Sequence, residues 1–130
     1  MTTPQDGPAV ADARREALVH KLSAMRQAAE AANDRLAEIK AAAFNPLPDH
    51  PVIEACDEAT AQNDEIIATC NTGMIAVILD KPGFDAFLDA LAVQTDRMKA
   101  ETAQLDKTVE GLDRMKKAAN VVTEVLGFLL

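Results

Sequence analysis

The sequence predicts an all-α protein: an antiparallel, coiled-coil-like three-helix bundle of up-down-up topology with a further helical segment at its C-terminus. Hydrophobic residues make up 48% of the 130 residues but aromatic residues only 3%, a composition that favours helices over sheets. Apolar residues recur at alternating spacings of four and three, which is the period of one helix face. Breaks rich in proline, glycine and aspartate divide the chain into helix-sized segments.

The first predicted helix covers residues 8–44 and follows a polar lead at residues 1–7. Gly7 and Pro8 mark the boundary between the two. We treat residues 8–130 as a single domain, which is a normal size for one hydrophobic core. The heptad stripe of this helix consists of Leu18, Leu22, Met25, Ala29, Ala32, Leu36, Ile39 and Ala43.

The second predicted helix covers residues 50–79. The segment before it contains Pro46, Pro48 and Pro51 and cannot be the interior of a helix. Asp49 is the predicted N-cap, because its side chain can accept a hydrogen bond from the first turn. The stripe of this helix consists of Val52, Cys56, Ala59, Asn63, Ile66, Cys70, Gly73 and Val77.

The third predicted helix covers residues 83–111, after the break at Asp80-Lys81-Pro82-Gly83. Short linkers favour antiparallel packing of consecutive helices, so we expect the three stripes to meet layer by layer. In one such layer Leu22 and Leu88 would fill the space beside Gly73. The stripe of the third helix consists of Phe84, Leu88, Leu91, Thr95, Met98, Thr102, Leu105 and Val109.

A surplus of apolar residues lies beyond Gly111, where the heptad phase breaks and the glycine weakens the helix. Three helices leave nothing to cover residues 112–130, and a contiguous apolar patch of this kind is not left in water. The segment therefore either folds back as a fourth helix or meets another molecule. The residues predicted to form this interface are Leu112, Met115, Ala119, Val122, Leu126, Phe128 and Leu129.

Charge is concentrated in the middle of the chain. Residues 46–80 contain seven acidic residues and no Lys or Arg, and so carry −7 of the net charge of −8. A net acidic chain with no basic stretch interleaved with aromatic residues is a poor nucleic-acid binder, so no nucleic-acid partner is expected. The outward-facing acids of the second helix form a possible second surface, suited to a basic partner: Glu54, Asp57, Glu58, Asp64 and Glu65.

Catalytic and metal-binding motifs are missing from the sequence, which has no G-x-S-x-G, phosphate loop, C-x-x-C or H-E-x-x-H. We therefore predict no enzyme, catalytic residue, cofactor or metal. Cys56 and Cys70 lie two heptads apart on one helix, about 21 Å, which excludes a disulfide between them. Asn63 allows two interpretations. It either specifies register and oligomeric state, or is a tolerated core residue hydrogen-bonded to Thr95 or to water.

These observations predict a non-enzymatic interaction or assembly protein, which uses residues 112–130 to form a homo-oligomer or to bind a protein partner. The alternative is a membrane-active or membrane-anchored helical protein, a pore-former or a peripheral subunit. It rests on the same apolar tail and on the uncharged stretch at 66–79. No apolar run approaches the roughly 20 residues of a membrane span, and no signal peptide is visible, so we expect a cytoplasmic location.

Overall fold

The computed structural model describes residues 8–73 and 81–129, with side chains from residue 12 onward. Over these ranges the chain is helical and contains no strand, so the all-α prediction is confirmed. A short 3-10 turn, Gly127–Leu129, follows the last helix. The helices are α1 (Pro8–Ala42), α2 (His50–Gly73), α3 (Phe84–Gln104) and α4 (Val109–Leu126). The predicted lead at residues 1–7 and the predicted end of the second helix at 74–79 lie outside the described residues.

The heptad stripes of α1 and α2 form much of the core. On α1 every stripe residue from Leu18 to Ile39 is buried, and only Ala43, beyond the helix end, is half-buried. On α2 every described stripe residue is buried, while Val77 lies outside the described residues. Burying a large aliphatic side chain contributes about 1.5–3 kcal/mol, so the large residues of each stripe contribute most of its hydrophobic stabilisation. These are Leu18, Leu22, Met25, Leu36 and Ile39 on α1, and Val52 and Ile66 on α2.

The boundary between the last two helices differs from the prediction, which placed it at residues 111–112. α3 already ends at Gln104, and Leu105 adopts an extended conformation with φ −66° and ψ 126°. Thr108 is the N-cap of α4, and its hydroxyl accepts a hydrogen bond from the Gly111 amide at 3.0 Å. This capping bond provides a partner for a first-turn N–H that has none within the helix, which explains why α4 begins here.

This earlier start of α4 corrects two residue assignments. Gly111 lies in the first turn of α4 and does not mark the break. Val109 was predicted to extend the stripe of the third helix, but it is the first residue of α4 and is exposed. The periodicity of the sequence did not reveal the loop, because Leu105 remains buried although it lies outside any helix.

The C-terminal segment folds back as a fourth helix. α4 packs against α2 and α3, and α1 also packs against α2 and α3. The described parts of α2 and α3 have only marginal contact with each other, contrary to the prediction that they are neighbours. α4 lies between α2 and α3, which would have packed directly against each other in a three-helix bundle. The result is a four-helix bundle with α1 opposite α4 and α2 opposite α3.

The space beside Gly73 shows how the fourth helix changes the core. A Cβ atom placed on this glycine would lie 2.7 Å from Leu129 Cδ1 and 3.1 Å from Leu22 Cδ1. The prediction placed Leu22 and Leu88 beside Gly73. Leu22 is there, but the second residue is Leu129, and Leu88 is only half-buried. The predicted large-beside-small packing is therefore present with a different partner.

Polar contacts between α1 and α2 follow a regular order along both helices. Positions rise along α1 while they fall along α2. The pairs are Arg26 with Asn71 at 3.0 Å, Asn33 with Asp64 at 3.0 Å, and Lys40 with Asp57 at 2.6 Å.

Candidate functional site

The residues predicted as a C-terminal interface are buried or half-buried in the bundle of their own chain. Phe128 and Leu129 are half-buried in the 3-10 turn. The ring of Phe128 stacks on that of Phe87 with 4.6 Å between centroids. Lys81 Nζ lies 4.5 Å from the Phe128 ring and donates a hydrogen bond to its carbonyl oxygen. The other five predicted interface residues are buried: Leu112, Met115, Ala119, Val122 and Leu126.

Asn63 is fully buried, and neither atom of its amide has a hydrogen-bond partner among the described residues. The hydroxyl of Thr95, the partner expected from the sequence, donates instead to the Leu91 carbonyl at 2.8 Å. Leaving a buried amide unpaired costs about 1–3 kcal/mol. Asn63 is therefore a costly polar residue in a core whose other buried side chains in the described chain, apart from Thr95, are hydrophobic.

The two cysteines are buried and free, as the helical spacing predicts. Burial raises the pKa of the Cys70 thiol to about 11. The pKa of Cys56 is also raised, first by burial and second by the nearby Asp57 carboxylate. Since the thiolate is the reactive form, both groups behave as small core side chains and offer no nucleophile.

The acidic outer face of α2 is exposed, as predicted, but several of its carboxylates already have partners within the chain. Asp57 forms an ion pair with Lys40 of α1, and Glu58 forms one with Lys116 of α4. The hydrogen bond from Lys116 to Glu58 raises the pKa of this lysine. α2 therefore offers a basic partner fewer unpaired carboxylates than its sequence suggests. Glu54, near the N-terminus of α2, is one of the carboxylates that form no ion pair within the described residues.

Large hydrophobic side chains are exposed at one end of the bundle. Phe44 is 46% exposed, Leu47 79% and Val109 40%. Phe44 and Leu47 belong to the α1–α2 loop, and Val109 follows the α3–α4 loop. We call the surface formed by residues 43–49 and 105–109 the loop end.

The two loops of the loop end border a common groove of about 380 Å³. Its α1–α2 side includes Asn45, Pro46 and Leu47, and its α3–α4 side is formed by Lys107 and Thr108. The α3–α4 loop is attached to α1 by a hydrogen bond, which a guanidinium nitrogen of Arg35 donates to the Leu105 carbonyl oxygen at 3.4 Å. Apolar side chains around a concave surface are the usual composition of a site that binds another molecule.

Local hydrogen bonds fix both loops. The Asp49 amide donates to the Ala43 carbonyl at 2.7 Å, and the Asp49 carboxylate accepts from the Val52 amide at 3.3 Å. Asp49 therefore caps α2 as predicted. In the other loop, hydrogen bonds from the Thr108 hydroxyl and amide lower the pKa of Asp106. Capped loops of this kind present their side chains in a defined position.

A second groove, of about 320 Å³, lies between α1 and α3. Alanines dominate its walls, and none of the exposed large hydrophobic residues borders it. Val93 on α3 is 62% exposed, and neither it nor its neighbours in the chain line either groove, whereas Phe44 and Val109 adjoin residues that line the groove of the loop end. Isolated exposed residues of this kind are normal on soluble proteins, so the loop end is the stronger candidate.

Within residues 8–73 and 81–129, no cluster of three or more His, Cys, Asp or Glu side chains has the geometry to hold a metal ion. None of the described helices combines the length and the hydropathy needed to cross a bilayer. Comparison of the chain with protein-family models, with curated proteins and with solved structures finds no match.

Sequence reasoning missed the loop end, although part of its signal was visible. Leu47 lies between Pro46 and Pro48, Phe44 lies two residues before Pro46, and both are outside the heptad register of either neighbouring helix. Such residues have no helix face on which to be buried, and this could have marked them as surface-exposed. Val109 could not have been found in this way, since its spacing continues the stripe of the third helix.

Proposed function

We propose that this chain is a non-enzymatic interaction protein that binds another protein through the loop end. The observation that carries the proposal is the exposure of three large hydrophobic side chains at the two loops that border one groove: Leu47 lines the groove, and Phe44 and Val109 adjoin lining residues in the chain. Exposed aromatic and aliphatic side chains around a concavity provide the anchors that dominate binding energy at protein interfaces. The sequence also predicts an interaction protein, but one that binds through residues 112–130. We propose the loop end as the binding surface instead.

The α1–α2 and α3–α4 loops lie at the same end of the bundle if α1 is antiparallel to α2 and α3 is antiparallel to α4. The order of the α1–α2 polar pairs, from Arg26–Asn71 to Lys40–Asp57, supports this arrangement. Stacking of Phe87, early in α3, on Phe128, after α4, supports the same arrangement for the second pair. In a bundle of this kind the α1–α2 and α3–α4 connections lie side by side and form one composite surface.

Self-association through the C-terminal stripe has less support, because α2 and α3 already cover that stripe. A homo-oligomer formed through the loop end remains within the proposal, as a second copy of the chain is also a protein partner. The two cases differ in molar mass, which makes them separable by experiment.

The test uses the immobilised full chain and an extract of the cells that produce it. A Phe44→Ser/Leu47→Ser variant removes two exposed anchors, and Val93→Ser, as the control, removes an exposed apolar side chain away from the loop end. We expect a partner that wild type and Val93→Ser retain and that the double variant loses by about tenfold or more. Light scattering on the three proteins shows whether that partner is a second copy.

Equal retention of every partner by the double variant, together with an unchanged molar mass, would refute the proposal. Circular dichroism verifies that the variants are folded. Because Phe44 and Leu47 lie in a loop and are exposed, their replacement should lower the free energy of unfolding less than the replacement of a core residue would.

A further inference from the structure

The groove of the loop end has one charged residue on each side, and the two charges have opposite signs. Asp49 lines the groove on the α1–α2 side, and Lys107 lines it on the α3–α4 side. From this arrangement we infer that the partner of the loop end is a second copy of the chain, bound end to end about a two-fold axis. The inference rests on the proposed function and specifies its partner.

Neither of these two charges is neutralised within the described residues. Asp49 and Lys107 are exposed, and they form no ion pair with each other or with another described side chain. One carboxylate oxygen of Asp49 accepts a hydrogen bond from the Val52 amide, and the other has no described partner. Both charged groups are therefore available to another molecule.

A two-fold axis through the groove makes these charges complementary. Such an axis places the α1–α2 side of each chain on the α3–α4 side of the other, so that every contact occurs twice. Asp49 of each chain then faces Lys107 of the other, and two ion pairs of opposite charge form. A surface with only one sign of charge would instead meet itself with like charges, which disfavours association.

The exposed hydrophobic side chains of the loop end are divided between the same two sides. Phe44 and Leu47 belong to the α1–α2 loop, whereas Val109 follows the α3–α4 loop. The two-fold axis that pairs the charges also brings Val109 of each chain towards Phe44 and Leu47 of the other. The contact would have an apolar centre and a complementary polar edge, which is the usual composition of a protein interface.

The other charged residues close to the two loops are engaged within the chain. Hydrogen bonds from Thr108 lower the pKa of Asp106, and the charge of Arg114 lowers it further. Arg35 forms an ion pair with Glu38 on the same helix. These charges therefore add no strong preference for an acidic or a basic partner, and they leave the Asp49–Lys107 complementarity in place.

The net charge of −8 opposes any association that brings the acidic faces of two chains together. An end-to-end contact avoids this, because Asp57 and Glu58 already have lysine partners from α1 and α4. Asp64 lies about four helical turns, or 21 Å, from His50 at the start of α2, which exceeds the screening length of about 8 Å at physiological salt. Glu54 is unpaired in the first turns of α2 and is the main acid left to oppose the contact.

The experiment measures the molar mass of the full chain by sedimentation equilibrium over a wide range of protein concentration. A contact limited to one end of the bundle is small, so the dimer should be weak and should form only as the concentration rises. We expect the mass to increase from one chain to two and no further, because a two-fold contact uses the loop end of both copies. Amide resonances that shift with concentration should be centred on residues 43–49 and 105–109.

Charge-reversal variants test the reciprocal pairing. Asp49→Lys and Lys107→Glu each place like charges opposite each other twice, and each should weaken the dimer by about tenfold or more. The double variant Asp49→Lys/Lys107→Glu exchanges the two signs and should recover the dimer. An equimolar mixture of the two single variants should form a heterodimer, because one then has two bases and the other two acids at these positions.

The controls are Lys99→Glu on α3 and Glu65→Lys on α2, which change the net charge by the same amounts outside the loop end. Both should leave the dimer affinity within about twofold of wild type. Asp49→Lys also removes the N-cap of α2, but the double variant shares this loss. Recovery of the dimer in the double variant would therefore come from the restored pairing and not from the stability of the fold.

Each other outcome overturns a defined part of the account. A chain that stays monomeric at every concentration would refute the inference, whereas the proposed function stands if Phe44→Ser/Leu47→Ser loses a different protein from the cell extract. A mass that rises beyond two chains would refute the two-fold contact. Equal weakening by Lys107→Glu and Lys99→Glu, or no recovery in the double variant and the mixture, would refute the reciprocal pairing. Unchanged dimerisation of Phe44→Ser/Leu47→Ser would exclude the loop end as the contact.

Discussion

At the scale of single residues, Asn63 is the position where burial and hydrogen bonding conflict. Its side chain is inaccessible to solvent, and no described group pairs with its amide. A buried polar residue in a helical core can specify register at a cost in stability. The sequence allows two roles for Asn63: it specifies register and oligomeric state, or it is a tolerated polar residue of the core. The two roles predict different results when Asn63 is replaced by an apolar residue.

Asn63→Leu should raise the free energy of unfolding by about 1–3 kcal/mol, because it replaces an unpaired amide by an apolar group of similar branching. Urea unfolding provides the measurement, with the exposed Asn120→Leu as the control that should change stability little. If the more stable variant also shows a new molar mass, Asn63 specifies the association state. A loss of stability in Asn63→Leu would show that its amide is satisfied in the folded protein.

Thr108 tests the local cause of the helix boundary. Thr108→Ala removes the hydroxyl that accepts from the Gly111 amide, and it should cost about 0.5–2 kcal/mol. Thr123→Ala is the matched control, since the Thr123 hydroxyl only donates to the Ala119 carbonyl within the same helix. Thermal or urea unfolding compares the two. Equal stability of both variants would mean that Thr108 does not determine the start of α4.

The same replacement has a pH dependence with a defined sign. Hydrogen bonds from Thr108 lower the pKa of Asp106 below its ordinary value of 3.8, so the folded state favours the ionised carboxylate. The resulting stabilisation is present above the unfolded pKa and is lost as the pH falls through the folded pKa. We expect the stability difference between wild type and Thr108→Ala to narrow on acidification below pH 4. A difference that widens there would contradict this assignment.

At the scale of helices, α4 is the element that decides between a self-contained bundle and an exposed interface. Met115 is buried in the middle of α4. Met115→Ala should therefore lower the free energy of unfolding by about 2–5 kcal/mol without changing the molar mass. Lys117→Ala, an exposed neighbour on the same helix, is the control. A change in molar mass with little change in stability would instead identify Met115 as an interface residue.

The periodicity of the sequence was sufficient to predict which faces of α1 and α2 are buried, because a heptad stripe specifies its own inward side. It could not predict which helices are neighbours. Either α3 or the C-terminal segment can pack against the side of α2 that α1 leaves open. The spacing of Leu112 and Met115 is the same in both arrangements, so it does not distinguish them. The α3–α4 loop was missed because Leu105 and Val109 continue the apolar pattern across a capped turn.

At the scale of the whole molecule, covering the C-terminal stripe changes where the protein can act. With α4 between α2 and α3, three of the four large hydrophobic residues that are markedly exposed in the described chain belong to the loop end. This surface lies in loops whose position depends on caps and turns and not on helix periodicity. The sequence could therefore predict an interaction protein, but it could not place the surface through which we propose that it acts.

Amide hydrogen exchange by mass spectrometry, on dilute protein whose molar mass equals the 13.9 kDa of one chain, tests most directly that α4 is covered within its own chain. The account predicts slow exchange for residues 112–126, similar to that of the buried half of α2 at residues 59–70, and fast exchange at residues 43–49. Rapid exchange of residues 112–126 in the monomer, with protection appearing only as the concentration and the molar mass rise, would contradict it.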